Sequence, residues 1–372
     1  MKRWTCILAV AASLAGGVAA EKKSDAADAL FRDTNILTLT IEVPESGLAS
    51  LRQGNHNYVR ATLRDGDVAL RDVGIRLKGH GTFQPIDKKP AFALKCNEFV
   101  SGQEYHGLNK FALNNLALDA SYVRELMAAQ LYRDAGIPAA RGTHVRVRLN
   151  GRDLGFYVLV EAMNKSFLKR ELGNGGGNLY EGETKDIDQK LDQENGDDLS
   201  QNDLKALVTA ARATASERLS KLQAVLDVDQ FTSFLAMEML TADIDGYTFK
   251  RNNYRVYHHP KTDKLMFLPH GLDATFGSAS FKPPTGSLLV KALWELPEFQ
   301  HQYNARLGEL ADKVWRVDVL TNRVNAAVAK LVAAAPSRAV ADQLEKEAKA
   351  LRYQIEQQER FIQAELKRVS RE

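Results

Sequence analysis

Residues 121–161 read SYVRELMAAQLYRDAGIPAARGTHVRVRLNGRDLGFYVLVE and hold the clearest secondary-structure signals of the 372-residue chain. Apolar residues recur at helical spacing over residues 121–135, and a glycine follows where such a helix would end. Beyond it, apolar residues alternate with arginines up to Asn150-Gly151, a preferred dipeptide of tight hairpin turns. The stretch therefore predicts one helix followed by an antiparallel hairpin.

Outward from this stretch, the two halves of the chain differ in pattern. Alternating apolar residues before it indicate half-buried strands, whereas helical patterns dominate from about residue 165, apart from a strand-rich insert at 253–269. We predict a bilobal α+β protein with a cleft between the lobes. Its parts would be a strand-rich N-lobe at 35–162, a mostly helical C-lobe at 163–295, and a C-terminal helical extension at 296–372.

The start of the chain has the composition of an export signal. Lys2 and Arg3 precede a short apolar run that ends in small residues. We predict a signal peptide at 1–20 and a loose polar leader at 21–34, so the mature protein would be secreted or periplasmic with no membrane span. An uncleaved anchor is the alternative. Cys96 would be the only cysteine after cleavage, which excludes an internal disulfide.

The charge of the chain is nearly balanced, with 50 Lys and Arg against 47 Asp and Glu. No basic tract with interleaved aromatic residues is present in the sequence. Nucleic-acid-binding proteins usually concentrate positive charge in this way. We therefore predict no nucleic-acid partner.

Lysines beside predicted strands are candidates for binding phosphate. Lys78 lies in IRLKGHGT at 75–82, and Lys95 ends KKPAFALK at 88–95. Lysines are suitable point charges for phosphate groups, although a turn with solvated lysines explains the same residues. Glu125 on the predicted helix could fix one lysine against a nucleotide, or form an ordinary surface charge pair.

Carboxylate and amide groups in the predicted C-lobe are candidates for binding a metal and accepting a proton. Asp245 lies in the segment DIDGY, Asn253 follows in RNNY, and Asp273 follows an apolar strand. Their oxygens are ligands that hard divalent cations prefer, and a carboxylate can act as a general base. A capped turn is the alternative for the first segment.

These segments resemble the spore coat protein H (CotH) kinase family over most of residues 35–280. The resemblance rests on IRLKGHGT, on the block from LNKFALNN to NKSFLKR, and on GNLYEG, DIDGYTFKRNNYRVY and FLPHGLDATFG. The family is an atypical, minimal relative of protein kinases, so the resemblance implies an atypical protein-kinase-like fold in which residues 163–295 form the catalytic C-lobe. The C-terminal helices lie outside this resemblance.

The resemblance implies a catalytic role for three residues. Asp245 would accept or orient the proton of the substrate hydroxyl. Asn253 and Asp273 would hold Mg²⁺ or Mn²⁺. The acceptor would be a hydroxyl group, expected on Ser or Thr of an exported protein.

The resemblance also implies four contacts for ATP. Lys78 or Lys95 would contact its phosphates, with Glu125 as the partner of the lysine. Glu161 ends the predicted hairpin, where a hinge carrying the adenine contacts would lie.

The chain departs from the family pattern at Gly271, where many members carry an aspartate. A second metal carboxylate is therefore in doubt. Two hypotheses follow: an exported phosphotransferase that moves the γ-phosphoryl of ATP, and an exported binding or scaffold protein that keeps the fold without turnover. A third is an envelope assembly protein that self-associates through its C-terminal helices.

Overall fold

The computed structural model describes residues 26–32, 35–54, 56–79, 81–277 and 281–369, and the predicted signal peptide lies outside them. The described strands are β1 (Leu37–Glu42), β2 (Val59–Asp65), β3 (Val68–Lys78), β4 (Ala91–Lys95), β5 (Lys110–Asn114), β6 (Gly142–Leu149), β7 (Arg152–Glu161), β8 (Leu179–Gly182), β9 (Asp192–Asn195), β10 (Tyr254–His259) and β11 (Lys264–Pro269). The described helices are α1 (Asp28–Arg32), α2 (Glu45–Arg52), α3 (Arg124–Asp134), α4 (Lys165–Leu172), α5 (Asn202–Ala211), α6 (Ala215–Val225), α7 (Val228–Leu240), α8 (Tyr247–Lys250), α9 (Leu288–Trp294), α10 (Pro297–Lys313), α11 (Val317–Ala333) and α12 (Arg338–Val369).

The first seven strands close into a barrel in the order β1-β2-β3-β4-β5-β7-β6. Leu39, Leu63 and Val147 are among the apolar residues that fill the hydrophobic core of this part of the chain. Closure depends on β1 and β6, which pair in parallel with Leu37 opposite Val145. The α+β class and the strand-rich N-terminal part are as predicted, but the closed barrel was not, because local sequence patterns do not encode long-range strand pairing.

The predicted hairpin is present as β6 and β7, joined by Asn150-Gly151. Both turn residues have positive φ, 46° and 81°, as a turn of this kind requires. The Asn150 side chain also accepts from the backbone N–H of Val43 and donates to its carbonyl, each at 2.8 Å. The turn thereby holds the end of β1 against the hairpin.

A second sheet, in the order β11-β10-β8-β9, lies against helix α7. Phe231 and Phe234 on that helix pack against Phe267 on β11, with Tyr247 in the same aromatic cluster. The strand pair predicted at 253–269 is confirmed as β10 and β11. This core fixes the loop that follows α7 and contains Asp245.

Residues 26–32 of the predicted leader pack against the barrel part of the chain. Helix α1 buries Leu30 in the core of the barrel part, and Asp28 pairs with Arg141 at 2.6 Å. The prediction of a loose leader is therefore wrong for residues 26–32, because this segment carries apolar side chains that pack.

The C-terminal helices belong to the main helical core. Leu351 and Ile355 of α12 are completely buried in the cluster that also contains α3 and α7 side chains. Gln358 of α12 donates to the carbonyl of Leu240 at the end of α7. Three helices over this region match the prediction. Within the described part of the chain, no helix has both the length and the apolar character needed to cross a membrane.

Candidate active site

Lys78 and Glu125 are joined through Asn114. Lys78 ends β3 and donates to the Asn114 side-chain oxygen at 2.9 Å, while the Asn114 amide donates to both Glu125 oxygens at 2.8 and 2.9 Å. Burial lowers the pKa of Lys78 and raises the pKa of Glu125 to about 7. The predicted lysine–glutamate partnership is thus indirect, and the sequence reasoning missed the residue that mediates it.

Lys95 lies away from this group. On the β3–β4 pair, Lys78 is opposite Ala91 and Lys95 is opposite Gly74, which separates the two lysines by roughly 13 Å along the strands. The Lys95 ammonium instead pairs with Glu98 at 2.7 Å, and its side chain is partly exposed. Of the two predicted phosphate contacts, the geometry therefore favours Lys78.

The Glu161 side chain is occupied by arginines. The backbone N–H and the guanidinium of Arg141 donate to the Glu161 carboxylate at 2.7–3.0 Å, and the guanidinium of Arg170 donates to it at 2.6 Å. Both carboxylate oxygens therefore neutralise neighbouring cations. The carboxylate is thus engaged by these arginines, and the hinge position of Glu161 with its adenine contacts stays a prediction.

Asp245 and Asn253 form one hydrogen-bonded loop. The Asn253 amide donates to Asp245 at 2.9 Å and to the Gly271 carbonyl at 3.1 Å. Asn252 adds a bond to Asp245 at 3.1 Å, and Lys250 lies 3.4 Å from the same carboxylate. Asn253 thus links the Asp245 loop to the segment that leads into Asp273.

Gly271 is required by its backbone conformation and by its neighbour. Its φ is 57°, and a Cβ there would lie 2.8 Å from the Asn253 side chain. Asn253 therefore fills the space that an aspartate at this position would need. A second carboxylate at this position would therefore require Asn253 to move.

Asp273 is influenced by charges of both groups. Its pKa is raised to about 6, mainly by burial and to a smaller extent by Asp119 and Asp245, whereas its own backbone N–H and Lys78 act to lower it. The Asp245 and Asp273 carboxylates are thus close enough to influence each other. Neighbouring cations do not fully neutralise these carboxylates, so their surroundings are suited to binding a metal cation.

The available donors fit a magnesium ion that is shared with a phosphate ligand. Asp273 supplies a carboxylate, and Asn253 adds a side-chain oxygen, since its two hydrogen bonds use the amide nitrogen. Mg²⁺ commonly uses one or two protein oxygens and completes its shell with water and phosphate. Among the described residues, no cluster of three or more His, Cys, Asp or Glu could hold a metal alone.

Two buried carboxyl groups support the Asp245 loop. Burial raises the pKa of Glu238 to about 7, and burial together with Glu238 raises that of Asp243 well above its usual value. Glu238 accepts from the backbone N–H of Thr248 at 3.1 Å, and a side chain on Gly246 would overlap it. This pair therefore sets the path of the backbone around Asp245.

Charged residues from the second sheet face the same region. Arg255 on β10 donates to Glu181 at 2.9 Å, and Glu194 lies 3.9 Å from Arg255 and 3.5 Å from Lys110 of the barrel. The sequence reasoning missed Arg255 and Asn114, since each lies within a strand pattern. Arg255 is marked only by the burial of its charged side chain, and Asn114 only by its hydrogen bonds to Lys78 and Glu125.

Barrel, second sheet and helices thus define an α+β protein in which a lysine and two aspartate loops meet at the junction of the two parts. The sequence profile of the family described as CotH kinase protein matches residues 75–368. The chain belongs to this family, as the sequence resemblance predicted. The match includes the C-terminal helices, which the resemblance had left out.

Named relatives support this membership. Invasin CotH7 of Rhizopus delemar is 28% identical over 194 residues, covering 45% of this chain and 31% of that protein. Inner spore coat protein H of Bacillus subtilis is 22% identical over 256 residues, covering 61% of this chain and 69% of that protein. The chain therefore spans less than a third of the first relative and about two thirds of the second.

Two solved structures show partial likeness. The Helicobacter pylori proinflammatory kinase CtkA has a TM-score of 0.33 at 8% identity, covering 73% of this chain and 94% of that one. The HipA–HipB–operator DNA complex of Shewanella oneidensis gives a TM-score of 0.32 at 12% identity, covering 79% and 66%. Both scores are low.

Proposed function

We propose that this protein is an exported phosphotransferase that moves the γ-phosphoryl group of ATP to a hydroxyl group, on Ser or Thr of an exported protein. The observation that carries the proposal is the convergence of Lys78, Asp245 and Asp273 at one junction. Phosphoryl transfer needs a cation over the phosphates, a metal site and a carboxylate near the acceptor oxygen. These three residues supply those parts from different elements.

Each residue has a defined task in this proposal. Lys78, held by Asn114 and Glu125, neutralises phosphate charge. Asp273 and Asn253 hold Mg²⁺, which supplies charge neutralisation to the phosphates when bound. Asp245 orients the acceptor hydroxyl and takes its proton, and its hydrogen bonds from Asn253 fix the carboxylate for that role.

The alternative is an exported binding or scaffold protein that keeps the fold without turnover. Gly271 favours it, because Asn253 occupies the place of a second carboxylate. The names of the relatives, which include spore coat and invasin proteins, are compatible with a role at a cell or spore surface.

Label transfer from ATP tests the two functions. The full chain is incubated with γ-labelled ATP, Mg²⁺ or Mn²⁺ and a generic protein acceptor, alongside Asp245→Asn. Asp67→Asn, at an exposed turn, is the matched control. We expect label on the acceptor with the wild type and the control, and a reduction of about 100-fold or more with Asp245→Asn. Equal label with all three proteins would exclude Asp245 as the base.

Nucleotide binding in the same samples separates catalysis from recognition. Lys78→Met should weaken ATP binding about tenfold or more, whereas Lys95→Met should leave it unchanged because Lys95 pairs with Glu98 elsewhere. Absence of both label and ATP binding in the wild type supports the scaffold.

A further inference from the structure

Arg255 lies on β10 of the second sheet, two residues after Asn253 of the candidate active site. Its strand neighbours are Glu181 on β8 and Leu268 on β11. Glu194 connects it to Lys110 of the barrel, and its charge lowers the pKa of Lys78 and of His270. Arg255 is therefore near the lysine of the candidate active site.

The hydrogen bonding of Arg255 is incomplete. The residue is 8% exposed, and its Nη2 donates to Glu181 at 2.9 Å. Its Nε is fully buried, and no acceptor for it occurs within the part of the chain that the structure describes. A buried donor without an acceptor is costly, which indicates that a further acceptor belongs there.

The chemistry of that acceptor follows from the group and its surroundings. A guanidinium presents parallel N–H groups that match two oxygens of a phosphate. Glu181 and Glu194 neutralise Arg255 and Lys110 in this structure. These carboxylates thus supply the negative charge that a ligand anion would supply when bound. Lys78 contributes a second cation on the barrel side.

We propose that Arg255 binds the polyphosphate of the nucleotide from the second sheet, opposite Lys78, and that Glu181 holds the guanidinium in place before the nucleotide arrives. This inference rests on the proposed function for the identity of the nucleotide. The anion site itself is a property of Arg255 and can be tested with inorganic tripolyphosphate.

The test must separate anion binding by Arg255 from its pairing with Glu181. Removing Arg255 alone would leave the Glu181 carboxylate unpaired and repelling a phosphate. The informative comparison is therefore Glu181→Gln against the double variant Glu181→Gln/Arg255→Met. Binding of ATP with Mg²⁺, tripolyphosphate and adenosine is measured by calorimetry, with thermal melting as the check on folding.

We expect Glu181→Gln to bind ATP and tripolyphosphate at least as tightly as the wild type. Adding Arg255→Met should weaken both about 10- to 100-fold and change adenosine affinity by less than about threefold. Arg255→Lys in the same background should fall between them, since it keeps the charge without the planar fork.

Equal ATP and tripolyphosphate affinity in the single and double variants would overturn the inference, because Arg255 would then serve only to neutralise Glu181. An equal loss for adenosine would also overturn it, and so would a wild type that binds neither anion. Tripolyphosphate binding that depends on Arg255, without label transfer from ATP, would keep the anion site and reject the phosphotransferase.

Discussion

Asp273 is the residue whose charge depends most directly on a bound ligand. Its pKa of about 6 lies above the ordinary value because burial and nearby carboxylates disfavour the charged form. A neutral Asp273 cannot ligate a metal well, since the metal competes with the proton. Metal binding and pH are therefore linked at this position.

The raised pKa of Asp273 predicts that the free energy of unfolding falls as the pH rises. An acid with a raised pKa stabilises the folded state below its ordinary pKa of 3.8, and that stability is lost as the pH rises through about 6. Asp273→Asn removes this loss, so we expect the ligand-free variant to be about 1–3 kcal/mol more stable than the wild type at pH 8. Urea denaturation at pH 5 and pH 8 measures the difference.

The gain should be smaller at pH 5, where the wild-type carboxyl group is largely protonated. The same variant should lose the effect of Mg²⁺ on ATP affinity. A variant that is less stable than the wild type at pH 8 would contradict the pKa direction. Unchanged ATP affinity with and without Mg²⁺ in the wild type would contradict the metal assignment.

Some residues of the site could be predicted from the sequence, whereas others could not. Asp245, Asn253 and Asp273 lie in short segments whose order carried the resemblance, and the structure brings them together. Asn114 and Arg255 were missed because an inward-facing polar residue in a strand is distinguished only by what lies opposite it. Choosing between Lys78 and Lys95 required the strand register, which no local pattern contains.

At the scale of elements, the loop after β11 shows how backbone shape limits chemistry. Gly271 has a left-handed φ of 57° and lies against Asn253, which in turn holds Asp245. An aspartate at 271 would add strain and displace Asn253. Restoring the acid that many family members carry is therefore not a simple gain of a metal ligand here.

We expect Gly271→Asp to destabilise the fold by about 1–3 kcal/mol and to weaken Mg²⁺-dependent ATP binding, because the loop must move. Gly277→Ala is the matched control, since a Cβ at that exposed glycine meets no atom within 4 Å. Urea denaturation and calorimetry check both variants. Tighter metal binding by Gly271→Asp at unchanged stability would show that the loop accommodates a second carboxylate without cost.

The elements themselves were largely predictable where the signals are local. The helix and hairpin of residues 121–161 are present, and the Asn150-Gly151 turn has the expected conformation. Barrel closure between β1 and β6 was not predictable, because the residues that pair are more than a hundred positions apart. Strand β9 was missed since its sequence, DQEN, is polar and its residues are at most partly buried.

At the scale of the molecule, the terminal segments are joined to the functional centre. Arg124, next to Glu125 on α3, donates to Gln354 of α12 at 2.6 Å and to the carbonyl of Thr275 near Asp273. The C-terminal helices are therefore part of the framework that positions the site, whereas the sequence pattern alone presented them as an extension. Amphipathic periodicity identifies a buried face but does not identify its partner.

The contact between Gln358 and the end of α7 tests this framework. Gln358 is buried, and its amide donates at 3.0 Å to the carbonyl of Leu240, three residues before Asp243. Gln358→Ala leaves that carbonyl without this donor and opens a small cavity, so we expect a loss of about 1–3 kcal/mol in the free energy of unfolding. Because α7 leads directly into the Asp245 loop, label transfer should fall as well. Gln363→Ala is the control, since that exposed residue donates to Glu359 one turn earlier in α12 and its replacement should change stability by less than about 0.5 kcal/mol. Normal stability and transfer in Gln358→Ala would show that α12 packs on the core without positioning the loop.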